Sequence, residues 1–209
     1  MQHRKLWIAL ILALAGALLW LAFFWEPVAR GGDAYEPVLA QAPDAPAGGD
    51  FVLRSPSGSL ALSSYRGKVV LIYFGYTYCP DVCPTSLASI AQALSALTPA
   101  ELAQVAGLFV TLDAERDTME VLQAYAPFFH PAIVGLSGSP EQVARVARQY
   151  GVRYMKQKSD GAAPYSIDHW SSTYVVARDC KLAATLPHGS SPQGLVDTIR
   201  ALLAGSKAG

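Results

Sequence analysis

The chain has 209 residues, of which 52% are apolar and 15% charged, and its sixteen basic and sixteen acidic side chains cancel. A chain without excess positive charge gives no reason to expect nucleic acid as a partner. It is long enough to bury a core without the help of disulfides.

The first predicted element is a transmembrane helix over residues 6–25, which carry no charge. Twenty apolar residues are enough to cross a bilayer. Because Arg4 and Lys5 precede this segment, residues 1–5 are expected in the cytoplasm and the domain after the helix in the periplasm or another extracytoplasmic space, anchored to the inner (cytoplasmic) membrane. A signal peptide cleaved at the small residues 15–17 is the alternative, but cleavage there would leave an apolar end.

Residues 26–49 are rich in Pro, Gly and Ala, which predicts a flexible linker. Strand and helix patterns then alternate through residues 50–209, which are predicted to form one α/β domain. Strands are predicted within residues 68–74, 105–114 and 132–138, and hairpins within 51–67 and 172–187. The run 68–74 is apolar throughout, as expected for a strand covered on both faces.

Several helix starts can be read from capping residues. Thr98 and Ser139 each stand three residues before Glu or Gln, in the spacing of a capping box. Asp117 and Glu120 are expected to cap the next helix, which ends near Phe129.

The most informative stretch is Cys79-Pro-Asp-Val-Cys83, between a buried strand and a helix. The helix start offers free N–H groups and the positive end of a dipole, which favour thiolates. The pair is therefore a candidate redox couple or metal site, since thiolates attack disulfides and bind soft metals. A structural disulfide is the third possibility, although so short a loop gains little from it. Asp81 is expected to cap the helix.

Three segments, "RGKVVLIYFGYTYCPDVCPTSL", "TLDAERDT" and "YSIDH", resemble the Sco (SenC) family of membrane-anchored copper chaperones. The resemblance implies a thioredoxin-like fold, with a central mixed sheet flanked by helices. It also implies that Cys79, Cys83 and His169 bind copper and that the two cysteines form a redox-active disulfide. Two thiolates and one imidazole suit Cu(I) and could also hold Cu(II).

The resemblance further implies the function and partners. The protein would deliver copper to the dinuclear copper site in a subunit of a respiratory haem-copper oxidase, and would reduce the cysteines of that site. Copper capture needs reduced thiols, so a thiol reductant is an expected partner. Trp170 departs from the family, which usually has a small hydroxyl residue after the histidine.

The alternative function is that of a membrane-anchored thiol–disulfide reductase of the thioredoxin type, and a thiol peroxidase is a weaker third. Thioredoxin-type reductases space their cysteines two residues apart, whereas three residues separate Cys79 and Cys83 here. No residue is predicted to be catalytic, and the sequence leaves enzymatic activity open.

For the other polar residues the sequence predicts ordinary structural positions. His169 is expected at the start of a strand. Loop and cap roles are expected for Asp113, Arg116 and Asp117, and solvent exposure for His3, His130 and His188. Cys180 is expected to be an unpaired surface thiol, with an intermolecular disulfide or an accessory metal contact as unranked alternatives.

Overall fold

The computed structural model of the protein describes residues 4–7, 14–16, 20, 46–158 and 165–205. The described residues before position 46 are helical and exposed. Within the described part of the chain, no helix combines the length and the apolar character needed to cross a bilayer. Most of the predicted anchor (6–25) and linker (26–49) lie outside the described residues, and both remain predictions.

Between positions 46 and 205, the described residues form nine strands, five α-helices and one short 3-10 helix. In chain order these are β1 (Val52–Ser55), β2 (Gly58–Ala61), the 3-10 helix (Leu62–Tyr65), β3 (Val69–Gly75), α1 (Val82–Ser95), α2 (Pro99–Leu102), β4 (Val105–Thr111), α3 (Met119–Phe129), β5 (Ile133–Leu136), α4 (Pro140–Gln149), β6 (Tyr154–Lys158), β7 (Tyr165–His169), β8 (Thr173–Val176), β9 (Leu182–Leu186) and α5 (Pro192–Leu203).

The central sheet has the strand order β5-β4-β3-β8-β9. Strands β3, β4 and β5 run parallel, while β8 and β9 are antiparallel to their neighbours. Strand β3 lies in the middle, where Ile72 pairs with Leu108 on one side and Tyr174 on the other. Every residue of β3 and β4 is buried, because helices cover both faces of such a sheet. The predicted α/β architecture with a mixed sheet and flanking helices is confirmed.

The helix starts follow the capping pattern with one exception. Thr98 and Ser139 both form the predicted capping boxes. Helix α3 begins differently, because the hydroxyl of Thr118 accepts the hydrogen bond from the Val121 N–H and Thr118 is the N-cap residue. The expectation that Asp117 caps this helix is wrong, since its carboxylate is buried in contacts with other elements.

Strands β6 and β7 form a separate two-stranded antiparallel sheet, which we name the histidine ribbon. Tyr154 pairs with His169 at one end of the ribbon, and the connecting residues 159–164 lie outside the described residues. The sequence patterns did not predict this sheet. His169 is the last residue of β7, so the expectation of a strand start there is wrong.

The turn of the predicted β8–β9 hairpin contains Cys180, which has a positive φ of 67°. Its side chain is 8% exposed. Cys180 is therefore an unpaired, buried thiol, and the expectation of a surface thiol is wrong.

Candidate metal centre

The two motif cysteines lie where β3 gives way to α1. Cys79 belongs to the connecting loop, and its N–H donates to the Tyr76 carbonyl at 3.2 Å. Cys83 lies in the first turn of α1, and its N–H donates to the Cys79 sulfur at 3.4 Å. A free N–H at a helix start stabilises negative charge on an acceptor. The helix end thus favours a thiolate on Cys79.

Asp81 occupies the N-cap position of α1, but its side chain does not cap the helix. The Thr85 hydroxyl donates to the Asp81 main-chain carbonyl at 2.8 Å instead. The expected capping role of the Asp81 carboxylate is therefore wrong. The N–H of Cys83 donates to the Cys79 sulfur instead. This sulfur takes the place of the side-chain oxygen that usually accepts a hydrogen bond at a helix start.

The two cysteines differ in burial and in acidity. Hydrogen bonding to Cys83 is the main cause that holds the pKa of Cys79 well below its ordinary value, and His169 lowers this pKa further. The contact with Cys79 and complete burial raise the pKa of Cys83. The half-buried Cys79 therefore favours the thiolate form and the buried Cys83 the thiol form, and both are free rather than joined in a disulfide.

Gly75, the last residue of β3, provides the space that the Cys83 sulfur occupies. A Cβ atom at this position would lie 2.6 Å from the Cys83 Sγ. It would also lie 3.1 Å from atoms of Phe109 and Tyr73. The presence of glycine in the "FGYT" segment therefore has a steric explanation, since the side chain of any larger residue would displace the Cys83 sulfur.

His169 reaches the cysteines from the end of the histidine ribbon. Its Nε2 lies 3.3 Å from the Cys83 sulfur, and its Nδ1 lies 3.3 Å from the carbonyl oxygen of Trp170. When Nδ1–H donates to the carbonyl, Nε2 faces the sulfurs of the two cysteines. The rings of Tyr73 and Tyr76 meet the imidazole edge-on, with centroids 6.4 and 6.0 Å away.

These three side chains form a group that could hold a metal ion. One potential ligand atom of each residue lies within 4.8 Å of the others, and no other such group of His, Cys, Asp or Glu occurs among the described residues. Two sulfurs and an imidazole nitrogen are a soft donor set, which suits copper better than a hard cation. The structure brings the three predicted residues together, and their role as ligands remains a prediction.

The "DAERDT" segment supports the site rather than merely capping a helix. Asp117 accepts hydrogen bonds from the Thr77 N–H at 3.0 Å and from the hydroxyls of Thr77 and Thr111 at 2.6 and 2.5 Å. It thereby ties the loop before Cys79 to the end of β4. Burial raises the pKa of Asp117 above its ordinary value.

Asp113 and Arg116, from the same segment, contact the histidine ribbon. Arg116 forms an ion pair with Asp113, whose side chain is fully buried. Its Nη1 donates to the Tyr165 carbonyl at 3.0 Å, and the Tyr165 hydroxyl donates to Asp113 at 2.7 Å. Sequence patterns did not reveal these contacts, because Tyr165 is remote from both residues along the chain.

The remaining candidates lie outside the three-residue group. His188 is exposed and hydrogen-bonds to Ser86 at 2.9 Å, while the half-buried His130 accepts from the Ala132 N–H at 3.1 Å. His3 lies outside the described residues.

Fold and site together define a thioredoxin-like protein with two cysteines and a histidine gathered at its first strand-to-helix junction. A profile of the SCO1/SenC family matches residues 40–204, and the chain therefore belongs to this family.

Individual relatives support the same conclusion. Over 196 residues the chain is 36% identical to the mitochondrial SCO2 homologue of Bos taurus, which covers 91% of this chain and 73% of that protein. Copper-bound ScoI of Arabidopsis thaliana is 30% identical with a TM-score of 0.69, covering 76% of this chain and 99% of that one. Copper-bound ScoI of Bradyrhizobium japonicum is 34% identical with a TM-score of 0.68, covering 75% and 99%. The resemblance inferred from the sequence is confirmed.

Proposed function

We propose that this protein binds one copper ion through Cys79, Cys83 and His169 and delivers it to the dinuclear copper site of a haem-copper oxidase. The observation that carries the proposal is the convergence of two sulfurs and one imidazole nitrogen within 4.8 Å of one another. The copper-bound structures of two relatives, 30% and 34% identical, support copper as the cargo.

The protein's own residues prepare the ligand set. Cys79 favours the thiolate form, and the proton on Cys83 must leave when the ion binds, because thiolates are the metal-binding form. The Nδ1–H bond to Trp170 keeps the Nε2 lone pair of His169 directed at the two sulfurs. A three-residue set suits Cu(I), can also hold Cu(II), and leaves the ion open to an incoming ligand of the recipient.

A second candidate activity is thiol–disulfide reduction, which the free and unequal thiols favour. The Cys79 thiolate would attack a partner disulfide and form a mixed disulfide. Cys83, after losing its proton, would then attack the Cys79 sulfur and release the partner's thiol. Cys79 and Cys83 end as a disulfide and the partner gains two electrons, so an external thiol reductant must restore the pair. Anchoring in the inner membrane with a periplasmic domain would place either activity beside a respiratory oxidase.

Copper titration of the purified protein in its reduced and oxidised forms tests the binding proposal. The reduced protein is expected to bind one copper per chain and the oxidised protein none, because a disulfide removes two ligands at once. His169→Ala should lose tight binding, with His130→Ala as the matched control that retains it. Equal copper loading of the reduced and oxidised proteins would contradict the proposal.

Delivery is tested separately in cells. A strain without this protein should have low oxidase activity that added copper partly restores, and the wild-type gene should complement it. His169→Ala should fail to complement at limiting copper while His130→Ala succeeds. Normal oxidase activity of the deletion strain at limiting copper would refute the delivery role.

A further inference from the structure

The position of His169 depends on how the histidine ribbon is fastened to the domain. The ribbon shares no strand pairing with the central sheet, so main-chain hydrogen bonds of the sheet do not hold it. In β7, Tyr165, Ile167 and His169 are alternate residues and share one face of the strand. Each of the three is fastened by a side chain from the rest of the domain.

The far end of this face is held by Arg116. Its guanidinium lies 3.8 Å from the centroid of the Tyr165 ring, and its Nη1 donates to the Tyr165 carbonyl. In the middle, the Ile167 N–H donates to the Tyr76 hydroxyl at 3.3 Å. At the near end the His169 imidazole meets the Tyr76 ring edge-on. Arg116 therefore holds strand β7 at Tyr165, and the imidazole of His169 lies at the other end of the same strand.

We propose that Arg116 is a positioning residue for the His169 imidazole, acting through the ring and main chain of Tyr165. The inference rests on the proposed copper-binding function. His169 lies four positions after Tyr165, which is about 13 Å along a strand. A small tilt of β7 at Tyr165 would thus shift the imidazole relative to the two sulfurs.

The chemistry of the contact requires arginine in particular. The flat guanidinium stacks on Tyr165 while its separate N–H groups bind Asp113 and the Tyr165 carbonyl at the same time. Lysine keeps the positive charge beside the buried Asp113 but has neither the flat face nor the fork of donors. Arg116→Lys therefore loosens the ribbon while leaving the charge of Asp113 balanced.

Arg116 also lies 4.9 Å from the ring centroid of Tyr78, the neighbour of Cys79. An effect on copper could therefore pass through Cys79 instead of His169. A double-mutant cycle with His169→Ala separates these routes, since removal of the imidazole abolishes only the effect that passes through it.

The experiment measures copper affinity by competition titration for the wild type, Arg116→Lys, His169→Ala and the double variant. Arg116→Lys should weaken binding about 10–100-fold, the usual cost of losing a group that orients a ligand. In the His169→Ala background the same change should have less than about a threefold effect, because the imidazole through which Arg116 acts has been removed and the two substitutions are therefore non-additive. Arg200→Lys, in an ion pair with Glu101, is the matched control and should bind as the wild type does.

A copper-free readout accompanies the titration. In the reduced apoprotein, the nitrogen-15 NMR signals of the His169 ring should report the Nδ1–H tautomer in the wild type and in Arg200→Lys. Arg116→Lys should give mixed or broadened signals, as should Tyr165→Leu, which keeps the Arg116–Asp113 pair if Arg116→Lys fails to fold.

The outcomes separate the two proposals. If the wild type binds no copper, the proposed function fails, while the ring signals still decide whether Arg116 positions His169. Unchanged ring signals in both variants would overturn the positioning role. An equal loss of affinity with and without His169 would also overturn it, because the effect would then pass through Cys79 or the fold.

Discussion

Replacing Gly75 with alanine would place a methyl group in the space that the Cys83 sulfur fills. The new Cβ would lie 2.6 Å from that sulfur, whereas ordinary contacts begin at 3.4 Å, so the sulfur must move by about 1 Å. It would also press on the rings of Phe109 and Tyr73, which are packed in the core. Such overpacking typically costs about 1–3 kcal/mol of unfolding free energy.

The loss of copper affinity should exceed what this destabilisation explains. The Cys83 sulfur now lies 3.3 Å from the His169 Nε2, and a shift of about 1 Å changes the geometry of the whole ligand group. Losing a group that only orients a ligand costs about 10–100-fold in metal affinity, so displacing a ligand atom should cost at least tenfold. Disulfide formation should also slow, because its geometry is narrow.

Gly107→Ala is the matched control, since Gly107 is also a strand glycine beside β3. A Cβ there would lie 2.9 Å from the Ile133 side chain, a comparable clash on the neighbouring strands β4 and β5. Thermal unfolding and competition titration with copper are measured for both variants. Similar losses of Tm with a copper defect only in Gly75→Ala would support the reasoning, whereas equal copper affinities in the two variants would refute it.

Three further predictions concern other parts of the molecule. His169→Ala should still form and exchange a Cys79–Cys83 disulfide with glutathione while losing tight copper binding, because exchange needs only the thiols; a parallel loss of both would refute separate roles. Cys180→Ser should retain one copper per chain by metal analysis, since Cys180 lies outside the ligand group, and a substoichiometric value would show that the ligand set is wrong. Asp117→Asn should lower the unfolding free energy in denaturant by about 1–3 kcal/mol, because an amide cannot accept all the hydrogen bonds made to the carboxylate. Burial raises the pKa of Asp117, so the native state binds its proton more readily than the unfolded state does. The wild type should therefore gain stability over Asp117→Asn as the pH falls through that raised pKa, and a difference that is constant with pH would contradict the assignment.

Local sequence was sufficient to predict the cysteine half of the site. The buried run of β3 and the apolar spacing of α1 fix where the strand ends and the helix begins, so Cys79 and Cys83 fall at that junction. The capping boxes at Thr98 and Ser139 were equally local and were predicted correctly.

The histidine half depended on contacts that no local pattern encodes. Strand β6 exposes four of its five residues, and without apolar alternation it gives no strand signal. Strand β7, which pairs with β6 and carries His169, contacts Arg116 and Tyr76, which are remote in sequence. His169 could be nominated only through the family resemblance, and its place at a strand end was missed.

The error at Asp117 has a similar cause. Asp117 and Thr118 are adjacent and are both common capping residues, so the local sequence does not rank them. Two hydroxyls decide which of the two residues caps the helix, because both donate hydrogen bonds to the Asp117 carboxylate. One belongs to Thr77, forty residues away, and the other to Thr111, at the end of β4.

The separation of 86 residues between Cys83 and His169 has a consequence for biosynthesis. A ribosome adds about 5–20 residues per second, so the imidazole follows the second thiol by roughly 4–17 s. During that interval the growing chain carries two thiols but neither the histidine nor the strand that presents it. The complete donor set, and the metal preference that it confers, is therefore acquired only after the histidine ribbon has been made and folded.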